Sequence, residues 1–104
     1  MSEKLLIEIE DHIAKLTINN PPANTWDQES LSFLKKIIEE LNINKEIFSL
    51  VITGKGDKFF SAGADLKVFD QGGKEAANEM ATAFASAFSS LSNFRGVSIA
   101  AING

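Results

Sequence analysis

The residues best suited to chemistry stand together at Phe59-Phe60-Ser61-Ala62-Gly63-Ala64-Asp65-Leu66-Lys67. Aromatic residues run into small ones, an acid follows, and a helix-like pattern resumes. Small side chains let a ligand come up to the backbone. An acid at the start of a helix complements the amide hydrogens exposed there. Such a loop presents main-chain N–H groups to something negative or becoming negative, which is the chemistry of an oxyanion hole. Taken alone, Ala62-Gly63-Ala64-Asp65 reads better as an ordinary strand-to-helix connection. The segments around it decide between the two readings.

Those segments alternate strands and helices. Residues 4–10 place Leu5, Ile7 and Ile9 on one face of a strand, and Ala14, Leu16 and Ile18 alternate with polar neighbours along a second. Asp11 and His12 form the short turn of an antiparallel hairpin. Asn20-Pro21-Pro22-Ala23-Asn24 is a stiff irregular loop, since each Pro fixes φ and lacks a donor. A helix starts near Thr25 or Asp27, with Thr25 and Gln28 spaced as a capping box. Its apolar face is Leu31, Leu34, Ile38 and Leu41, with Ile37 beside them. Residues 48–53 form an apolar strand that suits cover on both faces. A short helical piece over 65–69 is broken at Asp70-Gln71-Gly72-Gly73. A long helix over 74–93 carries Met80, Phe84, Phe88 and Leu91 at helical spacing. Residues 97–102 form a last apolar strand, with nothing after it to cover its faces.

The order is β-β-α-β-(short α)-α-β, an α/β architecture. A chain of 104 residues allows one domain at most. Its hydrophobic share of 44% and charged share of 23% are those of a globular protein rather than a disordered one. A net charge of −4 argues against non-specific nucleic-acid binding. With no Cys and a single His, disulfides, thiolate metal sites and His-rich metal sites are excluded. The first ten residues alternate charged and apolar types and form no signal peptide, and no apolar run reaches membrane-spanning length. A soluble cytoplasmic protein is expected.

Phe60-Ser61-Ala62-Gly63-Ala64-Asp65-Leu66-Lys67 resembles the first signature of the crotonase superfamily, the enoyl-CoA hydratase/isomerase family. Other segments agree in order and spacing. Ile13-Ala14-Lys15-Leu16-Thr17-Ile18-Asn19 is similar to the family's second strand. Asn20-Pro21-Pro22-Ala23-Asn24-Thr25 resembles its Asn-rich, Pro-containing loop. Leu50-Val51-Ile52-Thr53-Gly54 resembles the strand before the signature. Ser98-Ile99-Ala100-Ala101-Ile102-Asn103-Gly104 resembles the start of the second signature. Gly96-Val97-Ser98 departs from the family, which has a Pro before the last strand.

The resemblance implies the N-terminal portion of a crotonase-type (ClpP/crotonase-like) spiral fold of β-β-α units. Residues 1–104 would be the N-terminal part of a single domain, truncated before the second oxyanion glycine. It implies an enzyme acting on acyl-CoA thioesters, with two backbone N–H groups polarising the thioester carbonyl. The first donor would be the N–H of Ala64. Gly63 would permit an unusual φ and close approach. Ala62, Gly63, Ala64, Asp65 and Leu66 would contact coenzyme A through the main chain, with Lys67, Ala23 and Asn24 as weaker candidates. Asp65 is read as a cap rather than a general base. Coenzyme A is part of the substrate, so no separate cofactor or metal is expected. The implied reaction is addition of water to 2-enoyl-CoA in fatty acid β-oxidation. Double-bond isomerisation, another reaction of the family and a non-catalytic binding or assembly fragment are the alternatives. The acid/base groups lie further on in the family, so this chain alone is expected to be inactive. The family's homo-trimers or hexamers are the expected assembly.

Other features read more simply. His12 is a solvated turn residue. Trp26 and the Phe84, Phe88, Leu91 stripe are core rather than acyl-chain contacts. Phe59 and Phe60 are expected to anchor the loop in the core. The acid-rich run over 27–40 is a solvated helix face.

Overall fold

Strand β1 (Leu5–Glu10) turns directly into β2 (Ile13–Ile18), with Glu10 opposite Ile13. Only Asp11 and His12 intervene, at φ 50° and 73°. Two successive positive φ values define the hairpin turn whose twist matches the flanking strands. His12 is exposed there, as expected of a turn residue, but it is not simply solvated. Its ring stacks on Phe48 at 4.6 Å and its Nδ1 lies 2.7 Å from the Glu46 carbonyl oxygen. The computed structural model describes residues 3–104, apart from the side chains of residues 66–72.

Helix α1 (Gln28–Ile43) leads into β3 (Ser49–Gly54), and α2 (Leu66–Ser92) leads into β4 (Val97–Ala100). The sheet order is β1-β2-β3-β4. The hairpin is antiparallel, whereas β2–β3 and β3–β4 are parallel. Parallel neighbours need long crossovers, and the two helices supply them. The result is the α/β architecture expected.

The predicted core is found. Leu5, Leu16, Ile18, Leu34, Ile38 and Leu50 are each no more than 1% exposed, and Met80, Ala87 and Phe94 close over them. Ala14, Leu16 and Ile18 stand opposite Leu50, Ile52 and Gly54, so the apolar sides of β2 and β3 form one floor beneath the helices. Trp26 is buried and meets Phe88 edge-on at 5.7 Å, while Phe84 and Phe88 stack. Each is a packing group, as read.

Three local expectations are corrected. The capping box of α1 is made by Asp27 and Ser30, not by Thr25 and Gln28. The Ser30 amide donates to Asp27 Oδ1 at 2.9 Å, and the Asp27 amide donates to Ser30 Oγ at 3.0 Å. Trp26 is held in a strand-like bridge to Ala64, so the chain stays extended through Asp27 (φ −130°, ψ −178°) and the helix starts only after it. The break in the second helix falls at Gly73 alone, at φ 62° and ψ −143°, with helix on both sides. β3 is covered on one face only. Leu50 and Ile52 are buried, but Val51 is half-buried on a face it shares with Ile13, Val97 and Ile99, all exposed. Among the described residues, no helix is long and apolar enough to cross a membrane.

Candidate active site

The site begins where β3 ends. A Cβ on Gly54 would lie 2.4 Å from the carbonyl oxygens of Phe59 and Phe60. Only glycine lets the following loop double back over the strand end at this distance. The returning segment then lies beside the loop before α1. Ala62 donates its amide to the Ala23 carbonyl at 3.0 Å. Trp26 donates to the Gly63 carbonyl at 2.7 Å and accepts from the Asp65 amide at 2.9 Å.

That pattern is a parallel bridge centred on Ala64. In it, the bonds go to the residues flanking Ala64, and the N–H of Ala64 points away from Trp26. Among the described residues the Ala64 amide has no hydrogen-bond partner. Gly63, at φ 96°, makes the turn that aims it. A Cβ at Gly63 would meet nothing within 4 Å, so glycine is needed there for its φ and not for space.

A cavity of about 520 Å³ opens beside this bridge. Pro21, Pro22 and Ala23 form one side, and Ala62, Ala64 and Asp65 the other. Asn20 is fixed at its edge by Nδ2 bonds to the carbonyl and hydroxyl oxygens of Thr25, at 2.9 and 3.2 Å. Its volume falls in the range of small-molecule sites, as does that of a cavity of about 600 Å³ beside Ile7, Phe33 and Ile37, so the amide on its wall and not its size marks this one.

The structure thus gathers Ala23, Ala62, Gly63, Ala64 and Asp65 from the expected set. Asn24 departs from it. Its side chain is 2% exposed and points into the protein, donating to the carbonyls of Lys55 and Phe59. It holds the loop and does not line the cavity. The side chains of Leu66 and Lys67 lie outside the described residues. Pro21, Pro22 and Asn103 were not singled out from sequence as site residues. Asn103 Nδ2 donates to the carbonyls of Gly54 and Gly56, each at 2.8 Å, and braces the same loop.

Charge near the site is organised by Lys4, whose Nζ lies 2.5 Å from Asp27 Oδ2. The hydrogen bond to Asp27 raises the Lys4 pKa above its usual value against a smaller opposing effect of burial. Burial pushes the Asp27 carboxyl up, but its bonds to Lys4 and Ser30 together outweigh this and hold it below the usual carboxylate range.

Comparison with known proteins identifies the family. The family model described as enoyl-CoA hydratase/isomerase matches residues 8–104. The chain is 32% identical over 103 residues to the crotonyl-CoA hydratase of Syntrophomonas wolfei, covering 98% of this chain and 40% of that protein. It superposes on Pseudomonas aeruginosa DspI with a TM-score of 0.96 at 57% identity, covering 99% of this chain and 39% of that one. It superposes on human mitochondrial delta3-delta2-enoyl-CoA isomerase with a TM-score of 0.89 at 26% identity, covering 98% and 40%. The chain belongs to the enoyl-CoA hydratase/isomerase family. It has the crotonase fold in part, and spans at most about two-fifths of the length of these relatives.

Proposed function

We propose that the chain supplies the first half of the oxyanion hole of an enoyl-CoA hydratase. The Ala64 N–H donates to the thioester carbonyl while water adds to the β-carbon and a proton reaches the α-carbon. Negative charge then passes through the carbonyl oxygen. A rigid backbone donor aimed at that oxygen contributes about 3 kcal/mol to lowering the barrier. The observation that carries this reading is the unpartnered Ala64 amide on the cavity wall, with both neighbours pinned to Trp26.

Coenzyme A is assigned to the same loop, through the main chain of residues 62–66, Ala23 and Lys67, as part of the substrate. The fatty-acid β-oxidation role, a cytoplasmic setting and assembly as trimers or paired trimers belong to the same proposal. On this reading the second donor and the acid/base carboxylates belong to the part of the family's domain that follows the region matched here. The 104 residues alone are therefore proposed to be inactive.

Hydration is favoured over isomerisation because relatives matched in sequence are named as hydratases. The structural likeness to the human isomerase keeps isomerisation as the second reading. Crotonyl-CoA tests the first and a 3-enoyl-CoA the second, each assayed with the whole protein and with residues 1–104. Hydration of crotonyl-CoA by the whole protein alone is expected. Turnover by the 104-residue chain would overturn its assigned inactivity, and isomerisation without hydration would replace the first reading by the second.

A further inference from the structure

Asn24 is buried, polar and left-handed at φ 54°. Its side chain is fully engaged. Nδ2 donates to the Lys55 carbonyl at 3.1 Å and the Phe59 carbonyl at 2.9 Å, and Oδ1 accepts the Asn20 amide at 3.1 Å. The turn it makes puts its chain neighbours to use as well. Ala23 takes the Ala62 amide, and Trp26 takes both flanks of Ala64. Asn103 acts from the other side, bonding the carbonyls of Gly54 and Gly56 and accepting the Gly54 amide at 3.3 Å. Neither asparagine lines the cavity.

We propose that Asn24, seconded by Asn103, is the positioning residue that sets where the Ala64 N–H stands, without touching the acyl-CoA. This rests on the reading of Ala64 as the oxyanion donor. The side chain must supply two donors and one acceptor from a left-handed backbone, and asparagine does both at least strain. Glycine would keep the φ and lose every bond. Aspartate would keep the shape and turn a carboxylate against two carbonyl oxygens.

The test compares Asn24→Gly, Asn24→Asp and Asn103→Ser in the whole protein, with Ile38→Val as a core control away from the loop. Misplacing a catalytic group by 1 Å costs on the order of 100-fold in rate. The Asn24 variants are expected to lose roughly 10- to 100-fold in kcat on crotonyl-CoA with KM changed far less. Hydrogen exchange at the amides of Ala62 and Asp65 should quicken in parallel. Ile38→Val should lower the melting temperature and leave kcat unchanged. Wild-type kcat and exchange in Asn24→Gly would overturn the proposal, as would an equal kcat loss in Ile38→Val. If the Asn24 variants do not fold, Asn103→Ser decides: quickened exchange and lowered kcat support the proposal, and no change in either overturns it. If the parent protein turns over no acyl-CoA, the oxyanion reading has failed. Exchange alone then judges the positioning role, with unchanged protection counting against it.

Discussion

Replacing Gly54 by Ala should disable the site through the backbone. The added Cβ would stand 2.4 Å from two carbonyl oxygens and 2.8 Å from the Phe60 Cα. Ordinary contact begins near 3.4 Å, so the loop must retreat by about 1 Å. It cannot do so freely, because the Phe59 carbonyl is held by Asn24 at 2.9 Å and Gly54 itself by Asn103. Overpacking of this kind costs about 1–3 kcal/mol of stability. A 1 Å displacement passed on to Ala64 costs on the order of 100-fold in rate, or about 2.7 kcal/mol of barrier. The assay is kcat of the whole protein on crotonyl-CoA beside its melting temperature. Gly73→Ala, in α2, is the control. Its Cβ meets nothing within 4 Å, but its φ of 62° is strained for alanine, so it should lose stability and keep kcat. Undiminished kcat in Gly54→Ala would refute the claim that close packing of the loop on β3 places the donor.

Further outcomes follow from the packing and the charges. Asp27→Ala should cost about 1 kcal/mol through loss of the helix cap, whereas Asp27→Asn should keep most of the cap, as chemical denaturation at neutral pH will show. The lowered Asp27 pKa contributes stability that is present above its unfolded value near 3.9 and lost as pH falls through the folded value. The raised Lys4 pKa contributes below about 10.4 and fades as pH rises through the folded value. Acid titration of Asp27→Asn should therefore show a shallower stability loss than the parent, and an identical curve would contradict the assignment. Arg95→Met should cost about 1 kcal/mol, since the guanidinium bonds the carbonyls of Leu41, Asn42 and Asn44 at the end of α1. Arg95→Lys should not restore it in the same denaturation assay, because an ammonium cannot span those acceptors. Leu34→Ala, at a position with no exposure, should lower the urea midpoint by an amount equivalent to about 2–5 kcal/mol.

What was legible in the sequence had a local cause. Alternation along residues 13–18 marked Ala14, Leu16 and Ile18 as buried, and helical spacing marked Leu31, Leu34, Ile38 and Leu41. Gly63 was singled out through the family's signature, and it has the positive φ expected of it. The asparagine braces were not, because their partners lie 31 to 49 residues away and a side-chain bond to a distant carbonyl leaves no periodic trace. The capping box was misplaced for a similar reason. Thr25 and Gln28 have the right spacing, but the long-range bridge at Trp26 keeps the chain extended through Asp27, so the cap falls two residues beyond Thr25. Residues 48–53 suggested two-sided cover, and their composition does not distinguish a buried face from the one Val51 shares with Ile99.

The bridge between Trp26 and Ala64 also bears on how the molecule assembles. It joins the loop before α1 to the loop after β3, and the Asn24 to Phe59 bond beside it spans 35 residues. Chain closure over such distances slows folding, so the hairpin and the helices are expected to form ahead of the site. The pocket then becomes ordered late, and a ligand that binds only the ordered form draws the equilibrium toward it. At a hundred times its dissociation constant, an acyl-CoA would add about 2.7 kcal/mol to stability. A rise in melting temperature with crotonyl-CoA, absent in Gly54→Ala, is the expected sign that substrate helps complete the fold it uses.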